Sequence, residues 1–239
     1  MSISLHLGDC LNELHAVQNK TIDLVIADLP YGTTQCKWDT QINLDMLWEH
    51  YRRVCKPSAA ILLFAQTPFD KVLGCSNLPW LRYEIIWEKT HPTGHLNAKK
   101  MPMKAHENIL VFYDKLPTYN PQKTQGHVRK TATKRKDLTP VYGEQTFDAL
   151  PYDSTERYPR SVITFPSDKQ TSNLHPTQKP VELLRWLVRT YSNAGDRVLD
   201  NTMGSGSTGQ ACLLEGRHFI GVEKDPVYFA TAERRLAIA

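Results

Sequence analysis

The chain has 239 residues, 41% of them hydrophobic and 23% charged, with 12 Gly and 15 Pro. That composition excludes collagen-like and disordered tracts and leaves a globular protein of one large domain or two small ones. Lys and Arg number 29 against 25 Asp and Glu, a formal net charge of +4, which neither demands nor excludes a nucleic-acid partner, so where the charges sit matters more than their sum.

Short apolar runs at 22–27, 60–65, 83–87, 108–113, 197–199 and 218–222 are rich in Val, Ile, Leu and aromatics. With so little polar alternation they suit strands buried on both faces, as in a parallel sheet covered by helices. Residues 44–55 place Leu44, Leu47, Trp48 and Tyr51 on one helical face and halt at Lys56-Pro57. Residues 89–137 carry 11 Lys and Arg against three acids, a net of +8, so the rest of the chain is −4. No long helix or buried strand is expected from 116 to 173, where Pro, Thr, Gln, Asn and Tyr dominate; this stretch reads as an insertion. Helical patterns return at 180–192, begun by Pro180 and striped by Leu184, Leu187, Val188 and Tyr191, and again at 206–215 and 226–236. From 180 onward the alternation of helix and strand is that of a doubly wound α/β unit. The five cysteines (10, 36, 55, 75 and 212) include no C-x-x-C and no Cys/His cluster at ligand spacing, so no metal site is expected. Neither a secretory leader nor a run of about 20 apolar residues is present, and a cytoplasmic location away from membranes is expected.

Between the last two predicted strands, Asp200-Asn201-Thr202-Met203-Gly204-Ser205-Gly206-Ser207-Thr208-Gly209 joins strand to helix and contains G-x-G-x-x-G, while Glu223 ends the following strand. Glycines allow a tight turn and close approach of a ligand, and a carboxylate after the second strand is placed for ribose hydroxyls. A dinucleotide fits that pattern. Asp200 would repel a pyrophosphate at the helix start but suits a cationic amino group or sulfonium, and S-adenosylmethionine carries both.

The first predicted strand runs into Asp28-Leu29-Pro30-Tyr31, on the sheet edge where open α/β folds bind ligands. This tetrapeptide resembles the Asp-Pro-Pro-Tyr motif of DNA amino-methyltransferases, and the Asp200–Gly206 loop resembles their Asp-Pro-Phe-x-Gly-x-Gly cofactor loop. His175-Pro176-Thr177-Gln178-Lys179-Pro180 is similar to the motif preceding that loop in the β-class order, catalytic motif first, and Gly8-Asp9-Cys10 is similar to the motif that contacts the cofactor's adenine. Leu29, Asn201 and Thr202 depart from the family's Pro, Pro and Phe.

The resemblance implies a Rossmann-like, mostly parallel mixed sheet, with a catalytic domain of residues 1–113 plus 174–239. Residues 114–173 would form an inserted target-recognition region and 89–106 an additional basic, DNA-facing loop. S-adenosylmethionine would be the cofactor and double-stranded DNA the partner; a homodimer and a partner restriction nuclease stay open. The expected activity is site-specific methylation of adenine N6 in a flipped base, with cytosine N4 as the alternative and a nicotinamide-dependent oxidoreductase as a remote one. The Asp28 carboxylate and the Leu29 carbonyl would accept the hydrogens of the target amino group, with Pro30 completing the turn and Tyr31 stacking on the base. The cofactor would be held by Asp9 at its adenine, Glu223 at its ribose, Asp200 and Asp28 near its methionine end, Thr177 and Lys179 at its carboxylate, and the Thr202, Gly204, Ser205 and Gly206 loop. Lys99, Lys100, Lys104, Arg129, Lys130, Lys134, Arg135 and Lys136 would meet phosphates.

Overall fold

The computed structural model describes residues 1–32, 40–132, 152–167 and 178–237. In chain order its elements begin with β1 (Ile3–Leu7), α1 (Cys10–Glu13), β2 (Ile22–Asp28), α2 (Leu44–Val54), β3 (Cys55–Ala65), α3 (Phe69–Ser76), β4 (Leu81–Thr93) and β5 (Lys104–Phe112). They continue with β6 (Lys130–Ala132), β7 (Tyr152–Ser154), β8 (Val162–Phe165), α4 (Val181–Tyr191), β9 (Arg197–Asp200), α5 (Ser207–Leu214), β10 (His218–Glu223) and α6 (Pro226–Ala237).

Eight of these strands form one sheet in the order β1-β10-β9-β2-β3-β5-β4-β8. Only β5 runs against its neighbours β3 and β4; the other pairings are parallel. The central strands are apolar for the expected reason. Leu24 and Ile26 join one hydrophobic cluster with Leu184 and Leu187 of α4, while Val25 and Ala27 join the other with Leu47, Trp48 and Tyr51 of α2. Period-two alternation therefore buries β2 on both faces, and each fully buried Leu, Ile or Val contributes about 1.5–3 kcal/mol. Asn43 caps α2, its Oδ1 accepting from the Met46 N–H at 3.1 Å.

The structure departs from the sequence-based expectation at several places. The strand expected from residue 60 begins at Cys55, directly after α2. Its register against β2 slips between Ile22 and Leu24, and this irregularity accommodates Pro57 inside a strand. Strand β1 has no counterpart among the predicted elements because it is an edge strand, paired to β10 alone and with no residue fully buried. Helix α3 is short and follows the Pro68 turn. Strand β8 lies inside the stretch expected to lack buried strands; it is four residues long and half exposed, so its composition carries little signal. Residues 89–106, expected as a loop, are the two arms and the tip of the β4–β5 hairpin.

Met1–Asn120 together with Ser161–Ala239 is one compact unit and Pro121–Arg160 a second. The second is held by the antiparallel β6–β7 pair, by reciprocal backbone bonds of 2.9 Å between Thr124 and Arg157, and by the ion pairs Arg129–Asp153 and Lys123–Glu156. Among the described residues no helix is long and apolar enough to cross a membrane.

Candidate active site

From β9 the chain passes through α5 to β10 on one side, while β2 lies on β9's other side and leads to β3. The strand order therefore reverses between β9 and β2, and at such a point the carboxyl ends of neighbouring strands open a crevice. Asp200 ends β9 and Asp28 ends β2. Both line a cavity of about 360 Å³ that also takes in Asp9, Tyr31, Phe64, Trp87, Glu107, Lys179, the 201–205 loop and Glu223.

On the β9 side the glycine-rich loop is folded around its own carboxylates. Asp200 Oδ1 accepts from the Thr202 N–H at 3.1 Å and Oδ2 from the Thr208 hydroxyl at 2.6 Å. Burial pushes its carboxyl up to about 7, against those two hydrogen bonds and with help from Asp28 and Glu223 nearby. Glu223 accepts from the Gly204 N–H at 2.9 Å and the Asp225 N–H at 2.8 Å, and burial raises its pKa as well. Asp9 caps α1 through the Leu11 N–H at 2.9 Å and is exposed at the cavity lining. Gly204 and Gly206 both take positive φ, 52° and 79°, which a side chain would strain. Gly206 turns the chain rather than lining the cavity: a Cβ there would come within 3.1 Å of the Ala232 Cβ. Gly209 is likewise a packing residue, with Leu236 and Phe219 at 2.8 Å from an added Cβ. Ser205 is buried at the cavity wall, where its Oγ donates to Gln178 at 3.5 Å.

On the β2 side, both oxygens of Asp28 are occupied. Tyr31 Oη donates to Oδ1 at 2.6 Å and Lys179 Nζ to Oδ2 at 2.5 Å. Burial raises the Asp28 carboxyl above its usual range, with Lys179 opposing that shift. Burial works against the Lys179 charge, yet Asp28 and Glu107 together hold its pKa above normal. Glu107 also binds Lys89 at 2.5 Å; burial would raise its pKa, but the two lysines bring it down to about 2. The Tyr31 ring stacks on Phe69, centroids 5.1 Å apart and planes at 28°. Leu29 is 2% exposed and part of the α2-side core, so its side chain is a packing group. Thr202 bridges the two sides, its hydroxyl donating to the Asp28 carbonyl at 3.1 Å, and the neighbouring Asn201 accepts from Tyr51 Oη at 2.6 Å. These are the positions where the family's Phe and Pro are replaced, and here they are polar ties between strand ends.

The structure thus brings together Asp9, Asp28, Leu29, Pro30, Tyr31, Lys179, Asp200, Thr202, Gly204, Ser205 and Glu223 around one cavity. Lys179 is placed on Asp28 and Glu107. Thr177 lies outside the described residues, as do Lys134, Arg135 and Lys136. Lys99 and Lys100 are exposed at the hairpin tip, whereas Lys104 is half-buried and donates to Gln66 Oε1. In the second unit Lys130 is exposed and Arg129 is paired with Asp153. Sequence reasoning passes over Glu107, Lys89, Phe64, Phe69 and Trp87; an acid at the head of the buried run 108–112 is the one available signal.

The acidic wall, with Asp9, Asp28, Asp200 and Glu223 facing one cavity and burial raising three of them, fits a cationic ligand that would relieve the mutual repulsion. Residues 22–234 match the sequence model of a family described as DNA methylase. The chain is 29% identical to the DNA adenine methyltransferase YhdJ of Escherichia coli (strain K12), over 97% of this chain and 82% of that protein. Its structure resembles the M1.HpyAVI–SAM complex with a TM-score of 0.68 at 25% identity, covering 98% of each chain. It resembles the PvuII DNA methyltransferase (cytosine-N4-specific) with a TM-score of 0.70 at 16% identity, over 98% of this chain and 86% of that one.

Proposed function

The chain belongs to the DNA methylase family, as an S-adenosylmethionine-dependent DNA methyltransferase, and from that premise we propose that its acceptor is the N6 amino group of an adenine flipped from double-stranded DNA. The observation that carries the proposal is the Asp28 carboxylate at the carboxyl end of β2, facing the same cavity as the Asp200 loop. The first residue of the catalytic tetrapeptide is Asp, and the E. coli relative is named for adenine; both favour adenine N6 over cytosine N4.

An exocyclic amino nitrogen is a weak nucleophile because its lone pair is conjugated with the ring. Acceptors aimed at its hydrogens favour the pyramidal form and stabilise the positive charge that develops on nitrogen. Asp28 and the Leu29 carbonyl supply that pair. Tyr31, backed by Phe69, is the stacking surface that offsets part of the few kcal/mol needed to unpair the base. When bound, S-adenosylmethionine supplies an electrophilic methyl group on a sulfonium centre. Asp200 would hold the cofactor at its cationic end, Glu223 at its ribose hydroxyls and Asp9 at its adenine amino group, and the Thr202 bond to the Asp28 carbonyl keeps the two halves in register. Among the described residues Cys10 is the cysteine that lines the cavity, and burial pushes its thiol up to about 11, which leaves it protonated at neutral pH. Within the expected 114–173 insertion, Pro121–Arg160, a compact unit of its own, is the target-recognition region, since β8 belongs to the main sheet, and the β4–β5 hairpin faces the duplex with Lys99 and Lys100.

Incubation with methyl-labelled S-adenosylmethionine and unmethylated DNA, followed by digestion to nucleosides, tests this. Label is expected in N6-methyl-2′-deoxyadenosine. Label in N4-methyl-2′-deoxycytidine would move the assignment to cytosine, and label in 5-methyl-2′-deoxycytidine, or none at all, would overturn it.

A further inference from the structure

Four ionisable groups of alternating sign run in a line from the catalytic carboxylate into the wall of the cavity: Asp28, Lys179, Glu107 and Lys89. Successive groups stand 2.5, 3.2 and 2.5 Å apart, and the three inner side chains are only 10–12% exposed. They come from three sheet strands and the turn before α4, with Lys179 also over the Phe64 ring at 5.0 Å and Lys89 over the Trp87 ring at 5.1 Å. Lys104, also on β5, donates to Gln66.

This arrangement poses a problem for Asp28. Its oxygens already hold Tyr31 and Lys179, so a target amino group must compete with an ammonium for the carboxylate's remaining lone pairs. Glu107 offers the way out. Lys89 fixes its Oε1, while its Oε2 is buried and receives no aligned hydrogen bond among the described residues, although Lys179 Nζ stands only 3.2 Å away. The ammonium is thus shared between two carboxylates, and a small shift would align it fully on Glu107 Oε2.

We propose that Glu107 is a positioning residue that draws Lys179 off Asp28 when the target amino group arrives: Lys179 caps Asp28 while the site is empty and moves fully onto Glu107 Oε2 as the base takes its place. No bond is made or broken and no proton moves; one ammonium exchanges one carboxylate for another, and the net charge of the four groups stays at zero. The proposal rests on Asp28 being the acceptor of the target amino group.

The test compares Glu107→Gln, Lys179→Met and the double variant in single-turnover methylation of unmethylated plasmid DNA, at saturating cofactor and DNA. The assay is run at a pH of about 8.5 because burial raises the Asp28 pKa and an alkaline medium favours its ionised form. Glu107→Gln leaves Lys179 with Asp28 as its one carboxylate among the described side chains, and a loss of at least about tenfold in rate is expected, with the half-saturating DNA concentration changed less than about threefold. Adding Lys179→Met to that variant removes the cap and should restore the rate by at least about threefold. Lys89 faces an amide in place of the Glu107 carboxylate in both variants, so the recovery cannot come from it. A merely structural Glu107 predicts the opposite, a double variant no faster than Glu107→Gln, and that result overturns the proposal, as does a Glu107→Gln rate within about twofold of the parent. Should Glu107→Gln lose its cooperative thermal melt, Glu107→Asp carries the same comparison, since it keeps the charge but withdraws it by one methylene. Asp28→Asn, run alongside, separates the two levels: parental activity there would remove Asp28 as acceptor, whatever the Glu107 variants do.

Discussion

At the scale of single residues, the acidic wall makes cofactor binding depend on pH. Asp200 titrates at about 7 because burial disfavours its charge, and a cationic ligand prefers it ionised. Above that pH the carboxylate is ready; below it a proton must leave before the cation binds. Affinity for S-adenosylmethionine should therefore weaken by up to about tenfold per pH unit below neutrality, measured by calorimetric titration between about pH 5.5 and 8.5. Asp200→Asn should bind weakly with a flatter pH dependence, and an unchanged slope would exclude Asp200 as the linked group. Asp28, Asp200 and Glu223 are legible in the sequence because each ends an apolar run beside Pro or Gly turn chemistry. Glu107 and Lys89 are not. Both belong to a segment whose composition announces basic charge, and only the pairing of Trp87 with Glu107 across β4 and β5 brings the pair to the cavity.

Among the elements, the β4–β5 hairpin and the α5–α6 packing each make a checkable claim. Lys99 and Lys100 are exposed at the hairpin tip, and no ion pair holds either among the described residues. Replacing both by Ala should weaken DNA binding and reduce the slope of log K against log salt by about 1.8, roughly 0.9 for each phosphate no longer neutralised. An unchanged slope would place the tip away from the backbone. Gly209 sits where α5 meets α6 and β10, and an added Cβ would be 2.8 Å from both Leu236 and Phe219. Gly209→Ala should cost about 1–3 kcal/mol through overpacking, lowering the melting temperature by roughly 2–4 °C per kcal/mol in a domain of this size. The literal G-x-G-x-x-G is thus readable as a turn, but its last two glycines serve chain direction and helix packing, which periodicity cannot distinguish from ligand binding. Long, strongly apolar elements such as β2 and α4 are readable throughout. The edge strands β1 and β8 are not, because one-sided burial leaves a weaker pattern.

For the molecule as a whole, a net charge of +4 conceals two opposed regions, +8 over 89–137 and −4 elsewhere. Part of the positive charge is used internally: Lys89 is bound to Glu107, Lys123 to Glu156 and Arg129 to Asp153. Of the acids outside 89–137, Asp9, Asp28, Asp200 and Glu223 line the cavity at the reversal of strand order, where β2 and β9 end. The order of motifs in the sequence makes that architecture legible, since each carries a strand end and its turn. Which side chains share a wall depends on sheet register. The central claim is that Asp28 activates the target amino group, and one variant tests it most directly. Asp28→Asn, assayed at saturating S-adenosylmethionine, should bind DNA within about threefold of the parent while its single-turnover methyl transfer falls by at least about a thousandfold; transfer within about tenfold of the parent would contradict the account.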